Sequence, residues 1–194
     1  LETGKDEWGR SIPLTFEAFG DFKLPGYIYA LVPFLAIFGN NDWVIRIPSQ
    51  ISGLLSILLI YLIVKNSTKN KSLALISALL LSVSAWHLFL SRVALEANLA
   101  FLFFLSGFYF YLKGFEKKSL FLISALFLGL TVFTYNSARV FVPLFIFGCL
   151  IVDRRKLWEI KKQLIFPAIL LFLILGVAFF LAVFQDSSSR YYWV

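Results

Sequence analysis

The sequence predicts an all-α membrane protein, a polytopic transmembrane helical bundle of about six spans with an N-terminal external loop containing juxtamembrane helices. Of the 194 residues, 60% are hydrophobic and only 15% are charged, whereas soluble domains carry about a quarter charged residues. The apolar residues come in blocks of membrane-spanning length, and the basic residues gather in alternate loops. This composition excludes a soluble globule and a disordered chain.

Residues 1–47 form the predicted external loop. They mix Gly, Pro, Trp and charged residues, and their apolar stretch, residues 24–38, is too short to cross roughly 30 Å of hydrocarbon. Because Pro and Gly interrupt helices, we expect Pro25, Gly26 and Pro33 to break this stretch. It is therefore predicted to lie at the membrane surface.

Residues 48–184 form the predicted helical bundle, and residues 185–194 the start of a further external loop. The chain begins without Met and ends soon after an apolar block, so we expect it to be an internal part of a longer protein. The predicted spans are 48–64, 73–90, 95–112, 119–135, 139–152 and 164–184.

The distribution of Lys and Arg predicts the orientation. The loops after the first, third and fifth spans are rich in both, whereas the intervening hinges carry only Arg92 and Arg139. Basic loops stay in the cytoplasm, so the sequence predicts a multi-pass plasma-membrane protein with residues 1–47, both hinges and the C-terminal tail outside. The formal net charge of +7 is then a topology signal, and no nucleic-acid partner is expected.

Polar residues gather at the ends of the spans that are predicted to face outward. Ionisable groups at such positions are costly and indicate function. Cations there suit a phosphate group, and a carboxylate in the first turn of a helix accepts hydrogen bonds or coordinates a cation. The candidate site residues are Asp21 and Lys23 before Pro25, Arg46 just before a helix expected to start at Pro48, Arg92 with Glu96, and Tyr135 with Arg139.

Each of these groups also has a structural interpretation. Lys23 is then a snorkelling side chain, Arg46 pairs with lipid headgroups, Arg92 forms a bridge to Glu96, and Arg139 anchors a helical hairpin. Single Cys and His residues exclude a disulfide framework and a Cys/His zinc site within this chain. No cofactor is evident; a divalent metal on carboxylates is possible, although no dedicated cage is visible.

Several short motifs, in this order, resemble the polytopic glycosyltransferases of the GT-C class. More narrowly, the chain is similar to the lipid-carrier-dependent branch that contains protein O-mannosyltransferases and aminoarabinose transferases. The motifs are residues 4–9 (GKDEWG), 19–27 (FGDFKLPGY), 38–39 (FG), 46–49 (RIPS) with Gly53, 84–87 (SAWH), 91–92 (SR) with Glu96, and 135–139 (YNSAR) with Pro143.

The resemblance implies an enzyme that moves a hexosyl or pentosyl group from a polyprenyl-phosphate donor in the outer leaflet to a glycan, lipid or protein acceptor outside. Lys23, Arg46 and Arg139 would then hold the lipid phosphate, and Glu96 would be a second acidic residue near the sugar. The principal acid of the family, an Asp-Glu pair, is expected upstream of Leu1, since Asp6-Glu7 comes too late.

The chain alone is therefore expected to be inactive. It also departs from the family where Leu24-Pro25-Gly26 replaces a common Pro-Pro pair. The alternative functions are a secondary transporter, which would place its polar residues near the bilayer midplane in repeated halves, or a lipid-carrier flippase.

Overall fold

The computed structural model describes residues 16–18, 21–160, 164, 166–171, 173–174 and 176–177. The predictions for residues 1–15, for much of the sixth span and for the tail 185–194 lie outside these described residues.

The all-α class is confirmed, with one small addition. Two short antiparallel strands, β1 (Phe16–Ala18) and β2 (Asp21–Lys23), precede the helices and pair Phe16 with Lys23. The helices are α1 (Pro25–Phe38), α2 (Asp42–Thr68), α3 (Lys71–Val83), α4 (Ala85–Arg92), α5 (Glu96–Gly114), α6 (Leu120–Thr134), α7 (Ala138–Val152) and α8 (Arg154–Glu159).

Helix α1 corrects the expectation that Pro and Gly interrupt this region. Pro25 begins the helix, and Pro33 lies inside it. A proline in the first turn is compatible with a helix because the amide hydrogens there have no helical acceptor. The ring of Phe16 packs edge-on against Tyr29, with centroids 5.9 Å apart, so the hairpin lies against α1.

Helix α2 begins at Asp42, well before the predicted start of the first span. Pro48 therefore lies inside the helix, and Arg46 belongs to the helix instead of preceding it. An internal proline costs about 3 kcal/mol because one backbone hydrogen bond is lost and its ring crowds the preceding turn. Val44 and Pro48 are both buried, and burial of their apolar side chains contributes against this cost.

The predicted second span is two helices instead of one. Ser84 adopts an extended backbone conformation between α3 and α4, and the two helices are bent by 59° at this break. In the part of the chain that the structure describes, α2 alone is long and apolar enough to cross a membrane, and the bent pair α3–α4 passes the same criterion when taken together. Helices α1, α6 and α7 are apolar but shorter.

Helix α5 packs against α6 through a buried hydroxyl and against α7 through aromatic side chains. The Ser124 hydroxyl of α6 donates a 2.7 Å hydrogen bond to the Gly107 carbonyl of α5. Phe104 of α5 contacts Phe141 and Phe145 of α7, with ring centroids 5.0 and 4.8 Å away. We call the end where α2, α5 and α7 begin the hinge end, and the end that carries α8 and the α5–α6 loop, residues 115–119, the basic end.

Candidate functional site

Buried hydrogen bonds around Ser49 join three helices at the hinge end. The Ser49 hydroxyl of α2 donates to the Leu90 carbonyl of α4 at 2.8 Å. The Asn98 amide of α5 donates to the Ser49 carbonyl at 2.7 Å and also lies 3.3 Å from the Ser49 hydroxyl. Both side chains are fully buried, so these bonds hold α2, α4 and the start of α5 in one arrangement.

A second contact brings α4 close to α2. Ser91 donates to the His87 carbonyl at 2.8 Å, and its hydroxyl lies 3.4 Å from the Asn98 amide. A Cβ atom on Gly53 would stand 2.9 Å from the Ser91 Cβ, closer than van der Waals contact allows. Glycine at position 53 therefore permits α4 to lie across α2.

The first turn of α1 contacts both α2 and the end of α6 at the hinge end. The Tyr27 hydroxyl donates to the Ile45 carbonyl of α2 at 2.8 Å. Burial, with a smaller contribution from the nearby charge of Glu96, raises the pKa of Tyr27 to about 12. Gly26 packs against Thr134 at the end of α6, where a Cβ atom would lie 2.8 Å from the Thr134 Cα.

The predicted residues Arg46, Arg92 and Glu96 lie near this junction. Arg46 is exposed on α2, directly after the carbonyl that Tyr27 binds, and Arg92 is exposed in the last turn of α4. Glu96 is the first residue of α5 and is partly buried. Among the described residues no ion pair joins Arg92 to Glu96, because the extended backbone of Val93 separates the two helices and removes the helical spacing.

Tyr135 and Arg139 flank the turn between α6 and α7. The Tyr135 side chain is 37% exposed, and Arg139 is the second residue of α7 and partly buried. The Arg139 Nε atom is buried and has no hydrogen-bond partner among the described residues. An unsatisfied buried donor costs about 1–3 kcal/mol, and the described residues supply no partner that would offset this cost.

Asp21 and Lys23 lie in β2, ahead of α1. Lys23 is exposed, and the backbone of Asp21 is opposite Ala18; the Asp21 side chain is outside what the structure describes. Because Leu24 is buried and α1 follows at once, Lys23 lies at the hinge end.

The structure thus brings the chain segments of all the predicted residues to one end. It does not join their side chains, since no hydrogen bond or ion pair between described residues links Arg46, Arg92, Glu96 and Arg139. Tyr27, Ser49 and Asn98, which hold this end together, were not predicted as site residues, although Tyr27 and Ser49 lie within the quoted motifs. For Ser49 the available signal was the helical spacing of small residues in α2, namely Ser49, Ser52, Gly53 and Ser56.

Comparison with known proteins agrees with the sequence motifs. The family model of dolichyl-phosphate-mannose-protein mannosyltransferases matches residues 23–183, a range that includes every candidate site residue except Asp21. No curated protein and no solved structure gives a significant match. The resemblance to GT-C glycosyltransferases is confirmed, and the chain belongs to the dolichyl-phosphate-mannose-protein mannosyltransferase family of membrane glycosyltransferases.

Proposed function

We propose that this protein transfers a glycosyl group from a polyprenyl-phosphate carrier to an acceptor hydroxyl on the outer side of the plasma membrane, and that the hinge end is the catalytic side. Membership of the family supports a lipid-linked sugar donor. The acceptor is a glycan, a lipid or a protein.

The observation that carries the proposal is the unpartnered Nε atom of Arg139. A guanidinium presents several donors in a plane, which matches the oxygen atoms of a phosphate. Lys23 and Arg46 are exposed at the same end and supply further positive charge. A phosphate bound there would satisfy the buried donor and neutralise the cations.

The proposed reaction is a displacement at the anomeric carbon. The acceptor oxygen forms a bond to this carbon as the bond to the phosphate oxygen breaks, and the bonding electrons leave with the polyprenyl phosphate. The hydroxyl proton passes to a carboxylate base. Arg139, Arg46 and Lys23 stabilise the negative charge that develops on the phosphate.

Glu96 is proposed to accept hydrogen bonds from the sugar or acceptor hydroxyls. Its position at the first turn of α5, next to the buried Tyr27, supports this role. The Tyr27 hydroxyl already donates its proton to the Ile45 carbonyl, so its proposed role is to hold α1 against α2 beside Glu96. Asp21, Arg92 and Tyr135 are proposed to contact the sugar or the headgroup from the rim.

The proposed membrane arrangement keeps about six spans, with the hinge end outside. Helices α6 and α7 have 15 residues each and reach only about 22 Å, so they need a locally thinned bilayer or anchoring residues at their ends. The bent pair α3–α4 counts as one span. Helix α1 lies along the surface.

The test is a comparison of Arg139→Gln with Arg139→Lys in the intact protein. We expect Arg139→Gln to weaken binding of polyprenyl phosphate at least about tenfold, since hydrogen bonds to charged groups contribute about 1.5–3 kcal/mol. Arg139→Lys should recover part of that affinity, and acceptor KM should change little. Lys71→Gln, an exposed change far from the hinge end, serves as the control. Unchanged donor affinity in Arg139→Gln would contradict the proposal.

A further inference from the structure

We propose that the basic end binds one anionic phospholipid of the adjacent leaflet, with its headgroup on the cations around α8 and a short segment of one acyl chain in the apolar cavity behind α8. The inference depends on the membrane arrangement proposed above and is independent of the transfer chemistry at the hinge end.

The cavity suits a short segment of a hydrocarbon chain. It has a volume of about 130 Å³ and is lined almost entirely by apolar atoms of α5, α6, α7, α8 and of Leu164, Pro167, Ala168 and Leu171. Its wall includes Phe121, Leu128, Leu150 and Leu157. Apolar cavities of roughly 150 Å³ stay free of water and take up small hydrocarbons, so this space favours an apolar occupant.

Helix α8 places cations beside this cavity. Leu157 is buried and faces the cavity, whereas Arg154 and Arg155 are exposed on the same short helix. Trp158 is 72% exposed, as is typical of an aromatic side chain at a membrane–water interface. A lipid in this position would place its chain against Leu157 and its headgroup against the arginines.

The α5–α6 loop adds further cations. The Lys156 ammonium lies 5.5 Å from the centre of the Phe115 ring, so α8 and this loop are adjacent. Lys117 and Lys118 lie in the same loop. The charges of the two segments therefore form one surface.

Most carboxylates at the basic end already have an ion-pair or hydrogen-bond partner. Glu116 pairs with Lys113 at 2.8 Å, which lowers the pKa of Glu116 and keeps it ionised. Asp153 accepts a 2.9 Å hydrogen bond from Tyr111 and pairs with Lys156 at 3.4 Å.

The remaining carboxylate of this surface, Glu159, is exposed. Four cations then have no ion pair with a described residue: Lys117, Lys118, Arg154 and Arg155. Unpaired cations next to an apolar cavity match the two parts of an anionic phospholipid.

The headgroup is tested by measuring phosphatidylglycerol and phosphatidylcholine binding to the intact protein with native mass spectrometry. Each basic residue near an anionic surface changes affinity by about fivefold. The Lys118→Gln/Arg154→Gln/Arg155→Gln variant should therefore bind phosphatidylglycerol about a hundredfold more weakly. The Lys23→Gln/Arg46→Gln/Arg92→Gln variant, which loses the same charge at the hinge end, should retain the affinity. Equal losses in both variants, or equal binding of the two lipids, would overturn the proposal.

Binding of the acyl chain in the cavity is tested with long-chain and short-chain phosphatidylglycerol. The unaltered protein should prefer the long-chain lipid, and Ala125→Leu, which fills the cavity from α6, should abolish the preference. Equal binding of both lipids by the unaltered protein would show that the cavity is not used and would refute this part. Glycosyl transfer should persist in Lys118→Gln/Arg154→Gln/Arg155→Gln, so loss of lipid binding is distinguishable from failure of the proposed transferase function.

Discussion

The side-chain amide of Asn98 donates a 2.7 Å hydrogen bond to the backbone carbonyl of Ser49, across the interface between α5 and α2. Asn98 is fully buried, and its own carbonyl oxygen has no hydrogen-bond partner among the described residues. The bond fixes the first turn of α5, where Glu96 lies, relative to the part of α2 that follows Pro48. The geometry of the proposed site therefore depends on a residue that does not itself reach the surface.

Asn98→Asp should destabilise the protein by about 3 kcal/mol or more. The change removes the donor to Ser49 and buries a carboxylate beside a carbonyl oxygen, with no cation to compensate. Thermal unfolding in detergent measures the effect as a lower Tm. Asn136→Asp, the same change at an exposed hinge position, should leave the Tm nearly unchanged. An equal Tm for both variants would disprove the buried arrangement.

Gly53→Ala should destabilise the protein by about 1–3 kcal/mol because the added methyl group collides with Ser91 and separates α4 from α2. Gly148→Ala is the matched control, since no atom of the described residues lies within 4 Å of a Cβ atom there. In a helix this control should be neutral or stabilising by about 0.5–1 kcal/mol. Chemical unfolding of both variants measures the difference, and a stabilising Gly53→Ala would contradict the close approach.

Glu96→Gln should lower kcat/KM for glycosyl transfer about a hundredfold, as expected for loss of a carboxylate that orients or deprotonates a hydroxyl. The change keeps the side-chain size, and the partial exposure of Glu96 predicts little effect on Tm. Steady-state kinetics of glycosyl transfer by the intact enzyme measure the change in kcat/KM. Glu116→Gln, at the basic end, should retain full turnover; undiminished turnover in Glu96→Gln would remove it from the site.

Cysteine labelling tests the orientation. In a Cys149→Ala background, a membrane-impermeant thiol reagent applied to intact cells should modify Asn136→Cys at the hinge end and not Ser67→Cys at the opposite end. Both positions are exposed, so accessibility within the protein does not distinguish them. Labelling of Ser67→Cys alone would reverse the proposed topology.

The pattern of apolar blocks and polar turns along the sequence was sufficient to predict much of the fold. Helices α5, α6 and α7 begin and end within one or two residues of the predicted bounds, because apolar blocks and polar turns are properties of neighbouring residues. The family was predicted from short motifs and confirmed by the match to residues 23–183. The predicted start of α2 was wrong. Pro48 was interpreted as the first turn of the helix, whereas the structure places it inside the helix.

The sequence by itself determined the helical class, the family and the segments that carry polar residues, since each follows from composition or from spacing along the chain. The tertiary structure alone decided that Ser84 divides a predicted span, that Tyr27 binds the Ile45 carbonyl, and that Asn98 binds Ser49. These features depend on which helices meet and at what angle. Hydrogen bonds between residues far apart in sequence form only after helix packing excludes water from the interface.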